Sequence, residues 1–209
     1  MAVRADREHL ADTIVHVVGL VLGVVGAVTL LTMAIADADR QHPFVAVAVY
    51  LVGLIAMLSC SALYNVWRSC RRREWLRRFD HAAIFVMIAG TYTPIALRLP
   101  APWDWALAGG VWSAATAGVV IKLWRPRDLE AVSIALYLAL GWIGLVAIEP
   151  LLATIDADVL LLVLLGGAVY SGGVIIHRAD RRYARALWHA CVLAAAAIHY
   201  AAIMTLTVA

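Results

Sequence analysis

The stretch Ser61-Ala-Leu-Tyr64-Asn65-Val-Trp67-Arg68-Ser-Cys70-Arg71-Arg72-Arg73-Glu74-Trp75-Leu-Arg77-Arg78-Phe79-Asp80-His81-Ala-Ala-Ile84 decides the fold. An apolar run ends on the Ser61/Asn65 pair, a short and strongly basic loop follows, and a second apolar run opens on Asp80-His81 and closes on Gly90-Thr91-Tyr92-Thr93-Pro94. Residues 61 and 65 are four apart, so on a helix they share one face. Two membrane helices hinged by this loop place Ser61, Asn65, Asp80 and His81 at one depth, just beneath a ring of arginines.

Working outward, the same alternation covers the whole chain. It has 209 residues, of which 64% are hydrophobic and 15% charged, against about 25% charged for an average soluble domain. Mean hydropathy is +0.87. Seven apolar segments are expected, near residues 14–36, 43–67, 79–98, 103–123, 131–149, 157–177 and 186–207. Each has the ~17–25 residues that cross the hydrocarbon core as a helix, and none shows the polar alternation of a barrel strand. The fold class is therefore all-α: one domain, residues 1–209, built as a polytopic seven-helix bundle. Residues 1–12 are polar and read as a short interfacial helix. Ala34-Ile35-Ala36 has the look of a signal-peptide cleavage site, but the preceding apolar segment is too long and its leader carries Asp6, Glu8 and Asp12, so the segment reads as retained.

Charge sets the expected orientation. Arg4, Arg7, Arg68, Arg71, Arg72, Arg73, Arg77, Arg78, Lys122, Arg125, Arg127, Arg178, Arg181, Arg182 and Arg185 fall on one side, which is fifteen of the seventeen basic residues. Only Arg40 and Arg98 fall on the other. The bias predicts a cytoplasmic N-terminus and an outer C-terminus, in the cell (plasma or inner) membrane. Trp103 and Trp105 suit an outer aromatic belt, and Trp67, Trp75 and Trp124 an inner one. No basic-aromatic soluble face is present, which excludes nucleic acid as a partner. Membrane lipids are the partners expected, with no soluble protein partner. Cys60, Cys70 and Cys191 are read as packing residues rather than a disulfide framework. Gly19 and Gly23, Gly109, Gly110 and Gly118, and Gly166, Gly167, Gly172 and Gly173 read as close-packing positions between helices.

Ionisable groups at membrane depth are costly and mark functional positions. Here they are His16, Asp80, His81, Glu149, His177, His189 and His199. Glu149 and His177 sit at segment ends and read as snorkelling or capping residues. Ser61, Asn65, Asp80 and His189 share a depth near the basic side. Such a cluster has two readings: a zinc site with an activated water, or a hydrogen-bonded knot that fixes helix register.

At these residues the chain resembles the hemolysin III branch of the progestin and adipoQ receptor (PAQR) family. The resemblance is carried by Thr13-x-x-His16-x-x-Gly19, Ser61-Ala-Leu-Tyr64, Asp80-His81-Ala-Ala-Ile84, Ala89-Gly-Thr-Tyr-Thr-Pro94, Gly141-Trp142, Gly166-Gly167-x-x-Tyr170-x-x-Gly173, Trp188-His189 and His199. It implies seven helices, a cytoplasmic N-terminus, and a zinc ion near the cytoplasmic face held by three histidines. A serine and an aspartate, here Ser61 and Asp80, would hold the zinc-bound water as the candidate catalytic pair. The metal set carried over is Asn65, Asp80 and His189, but Asn65 and Arg185 stand where the family has histidine. Asparagine is a weak neutral ligand and arginine does not coordinate zinc. Arg185 is instead expected to bridge Asp80, and zinc is not expected to bind stoichiometrically. If His16, His81 or His199 approaches Asp80 and His189, a non-standard metal site results.

Three functions follow from this reading. The first is a hemolysin III-like membrane protein acting in membrane or lipid homeostasis, with a polar cluster in place of the family's zinc. The second is a ceramidase-like, metal-dependent hydrolase of a lipid amide, which the missing histidines disfavour. The third is a pore-forming hemolysin, which lacks support because no polar helix face runs continuously across the bilayer.

Overall fold

The computed structural model describes residues 2–36, 44–67, 71–124, 130–178 and 182–208. Cys70, Asp37, Asp39 and the loop arginines Arg40, Arg68, Arg125, Arg127 and Arg181 lie outside the described residues. The described chain is helical, in the order α1 (Ala2–Ala36), α2 (Phe44–Val66), α3 (Arg73–Ala96), α4 (Trp103–Trp124), α5 (Glu130–Gly141), a 3-10 turn (Ile143–Ala147), α6 (Ile148–Thr154), α7 (Ala157–His177) and α8 (Ala184–Val208). Six stretches are long and apolar enough to cross a membrane: residues 6–36, 44–66, 103–124, 131–154, 157–177 and 184–208. The chain is thus a multi-pass membrane protein. α3 falls outside this set because Arg73, Glu74, Arg77, Arg78 and Asp80 fill its first two turns; residues 82–96 carry no charge.

Two segments differ from expectation. The first helix does not begin near residue 14. It runs unbroken from Ala2, because no glycine or proline interrupts residues 2–18 and Ala, Arg, Glu and Leu all favour helix. Asp12 and His16 therefore sit on one continuous helix. The fifth segment is not one helix over 131–149 but α5, a 3-10 turn and α6. The break falls at Gly141-Trp142-Ile143-Gly144 and is stitched from a distance. The Tyr92 hydroxyl on α3 donates to the Gly141 carbonyl (2.7 Å) and accepts from the Gly144 N–H (3.0 Å). Pro150 then sits in the first turn of α6, where its missing N–H costs nothing. Removing the hydroxyl in Tyr92→Phe orphans both backbone groups, at a cost of about 2 kcal/mol. Thermal unfolding in detergent reads this as a lowered transition, and an unchanged transition would mean the break holds itself.

The interior centres on α3, which packs against α2 and α4, while α8 packs against α7 and α1 and closes the bundle. Tyr50, Phe85, Leu30, Ile203, Val111 and Val159 are its largest fully buried apolar side chains. α2 and α3 meet backbone to backbone. A Cβ at Gly53 would lie 3.0 Å from the Val86 oxygen and 3.2 Å from the Met87 Cα; one at Gly90 would lie 3.2 Å from the Val49 oxygen and 3.4 Å from the Tyr50 Cα. The glycines expected to pack are less uniform. Gly118 receives the Phe85 ring, Gly166 the His199 ring and Gly173 the Trp188 ring, whereas Gly109, Gly110 and Gly172 face open space.

The arginines of the opening stretch finish their neighbours' helices. Arg73 donates to the Tyr64 carbonyl (3.3 Å) with its guanidinium over the Tyr64 ring (4.6 Å), and Arg78 donates to the Leu123 carbonyl (2.6 Å). Carbonyls at helix C-termini carry partial negative charge and no partner within the helix, so these contacts cap α2 and α4. At the opposite end Arg98 does the same for α8 through the Leu206 carbonyl (2.5 Å).

Candidate functional site

Residues 9, 12, 16 and 19 share a face of α1, since they recur at helical spacing. That face turns toward α8. His189, on the second turn of α8, donates from Nδ1 to Asp12 Oδ1 at 2.5 Å. His16 Nε2 lies 3.8 Å from the same oxygen, and its ring packs on His189 with centroids 4.4 Å apart. Asp12 is 2% exposed and His16 8%. One ligand atom from each of Asp12, His16 and His189 lies within 4.8 Å of the other two. The cluster is incompletely satisfied: Asp12 Oδ2 and His16 Nε2 are buried with no hydrogen-bond partner. His9, earlier on the same face, also carries a buried Nδ1 with no partner.

Of the residues singled out from sequence, His16 and His189 belong to this cluster, whereas Asn65, Ser61, Asp80, His81 and His199 do not. Asn65 is buried, and its amide donates to the Ser61 carbonyl (3.0 Å) and hydroxyl (3.4 Å), so the pair closes on its own helix. Asp80 faces its neighbour His81, with Oδ2 3.3 Å from Nδ1 in a geometry too bent for a hydrogen bond. Arg185 is exposed and makes no ion pair with Asp80. His199 stands apart, its Nε2 donating to the Val163 carbonyl (3.1 Å) beside Tyr170. Among the described residues, the His and carboxylate ligand atoms that come together are those of Asp12, His16 and His189, a set that shares only His189 with the one implied by the family resemblance. Of the two positions lacking histidine, Asn65 commits its amide to Ser61 and Arg185 is exposed at the rim of the chamber.

Sequence places Asp12 in an interfacial helix outside the first membrane segment, so it does not stand out as a ligand. The signal was present in its four-residue spacing to His16, which puts a carboxylate and an imidazole on one face. Lys122 was counted with the loop cations, yet it is 1% exposed and turned inward.

All of these polar groups line one chamber of about 1050 Å³. Its polar end holds Asp12, His16, Ser61, Asp80, Lys122 and His189; its far end is walled by Tyr92, Ile95, Leu151, Ile155, Val159 and Leu160. The volume lies at the upper end of ligand sites, which run ~300–1,000 Å³. Between the two ends, Ile134, Leu138, Ile148, Leu152 and Leu164 continue the apolar wall. α5 and α6 pack far more sparsely on α7 than α2 does on α3, so the wall is thinnest there. The fold thus offers a volume graded from ionisable to hydrocarbon, the profile of an amphiphile.

Comparison with known proteins agrees along nearly the full chain. The model of a family described as haemolysin-III related matches residues 6–200. The hemolysin-3 homolog of Bacillus subtilis (strain 168) is 31% identical over 193 residues, covering 91% of this chain and 90% of that protein. Hemolysin-3 of Bacillus cereus is 30% identical over 196 residues, covering 93% and 89%. The monocyte to macrophage differentiation factor of Homo sapiens is 26% identical over 204 residues, covering 94% and 83%.

Proposed function

Since the chain belongs to the haemolysin-III-related family of membrane proteins, within the PAQR family, we propose that it acts in membrane lipid homeostasis by holding a polar-headed lipid in its chamber. The observation that carries this reading is the gradient along the chamber, from Asp12, Asp80 and His189 to Ile95, Leu151 and Val159. A lipid tail already sits among hydrocarbon, so the apolar wall gains little by transfer and serves as a shaped slot. Choice among lipids then rests on the head, which meets carboxylates, imidazoles and the Lys122 ammonium at the polar end. The sparse packing of α5 and α6 on α7 supports lateral entry from the bilayer between them.

The reading includes seven crossings, with α3 as the third and α5 and α6 together as the fifth. It places the basic end in the cytoplasm and the protein in the cell membrane. The arginine distribution supports that orientation, as does the run of 15 uncharged residues in α3 after His81. The head-binding cluster then lies near the cytoplasmic leaflet. The test is whether a lipid travels with the purified protein and leaves when the apolar slot is filled by a larger side chain.

A further inference from the structure

We propose that Asp12 and His16 of α1 and His189 of α8 form a site for a divalent transition ion of the zinc class. The family resemblance would put such an ion against α2; here α1 supplies two of three ligands. The site stands independently of the lipid reading.

Three observations carry it. First, the spacing is near what an ion needs. Tetrahedral bonds of ~2.0–2.1 Å put ligand atoms roughly 3.3 Å apart. The Asp12 oxygen is 2.5 Å from one histidine and 3.8 Å from the other, on either side of that value. An ion replacing the proton between Asp12 and His189 opens the short contact while the long one closes. Second, the ligand atoms are buried and partly unspent. Asp12 Oδ2 and His16 Nε2 have no hydrogen-bond partner, at residues more than nine-tenths buried. An orphaned buried imidazole nitrogen is expensive, and coordination satisfies it. Third, the donor chemistry is selective. Two imidazoles with one carboxylate suit zinc and its transition-metal neighbours, whereas Ca²⁺ and Mg²⁺ take oxygen sets. Three protein ligands leave a coordination position open, and the three side chains line the chamber.

One carboxylate with two neutral imidazoles leaves a divalent ion one positive charge in excess, and Asp80 lines the same chamber.

The test uses the full chain in detergent, stripped with chelator, equilibrated with Zn²⁺ and freed of excess. Metal is counted by mass spectrometry, and Co²⁺ substitution reports on the ligand set by its visible spectrum. The expected result is about one ion per chain, reduced roughly tenfold or more in His16→Gln and in Asp12→Asn, with Asn65→Ala unchanged. His16→Gln preserves side-chain bulk, so it carries the test should Asp12→Asn fail to fold. Wild-type protein that takes up less than about a tenth of an ion would overturn the proposal. So would full loading in His16→Gln, or loading lost in Asn65→Ala, which would put the ion on α2.

Discussion

Gly53→Leu is expected to cost about 3 kcal/mol, the upper end for overpacking, because the new side chain meets backbone rather than a movable side chain. Its Cβ alone would sit 3.0 Å from the Val86 oxygen and 3.2 Å from the Met87 Cα, and three further carbons have no slot to enter. Gly90→Leu meets α2 in the same way from the other side. A loss of this size is a large part of the ~5–15 kcal/mol that holds a typical fold. In detergent it appears as a lower unfolding transition and a poor yield of monodisperse protein. Gly109→Leu is the control, since nothing lies within 4 Å of a Cβ there. It should unfold with the wild type. Equal behaviour of Gly53→Leu and Gly109→Leu would mean that α2 and α3 do not cross backbone to backbone. The consequence reaches the site, because that crossing sets how Ser61 on α2 and Asp80 on α3 face the chamber.

The second large effect is at Asp12. Its carboxylate and the His189 imidazole are buried together, at 3% and 12% side-chain exposure. Removing one partner leaves the other polar and alone, which costs about 3–5 kcal/mol for a buried pair. Asp12→Ala and His189→Ala are each expected to fall at the low end of that range, because the chamber lets water reach the site. Their double mutant should show a coupling of about 1–3 kcal/mol when measured in chelator, so that only the protein contact is read. The same cycle on Asp80 and Arg185 should be additive within about 0.5 kcal/mol, since the two do not touch. Coupling at Asp80 and Arg185 with none at Asp12 and His189 would reverse the assignment and restore the pairing expected from sequence.

Local sequence carried most of the fold and only half of the site. Apolar length locates α2, α4, α7 and α8 to within about two residues and α3 to within about six, its charged first turns lying outside the apolar run, because crossing hydrocarbon constrains composition along each segment. The break after Gly141 was not legible. It depends on a hydroxyl from Tyr92, 49 residues earlier in the chain, reaching the Gly141 carbonyl. The polarity of residues 1–12 reads as a separate interfacial helix, although nothing in Ala2–Asp12 breaks the run into the first membrane segment. That reading hid Asp12. The substitutions at 65 and 185 were readable as losses of histidine, and the structure shows where those side chains went. What compensates for them was not readable, because it requires α1 to lie against α8, a contact between residues more than 170 positions apart. Residue types suggest a ligand set; only packing decides which of them meet.

A metal on the α1–α8 pair and a lipid in the chamber are separable. The first would sit at the polar end alone, and the second needs the apolar slot as well. Native mass spectrometry of the full chain released from mild detergent tests whether the chamber holds a lipid. The wild type is expected to carry one lipid. Leu160→Trp and Ile134→Trp, which fill the slot, are expected to lose it, while Leu161→Trp, on the outward face of α7, keeps it. A wild type free of lipid, or equal occupancy in all four proteins, would mean that the chamber does not hold a lipid.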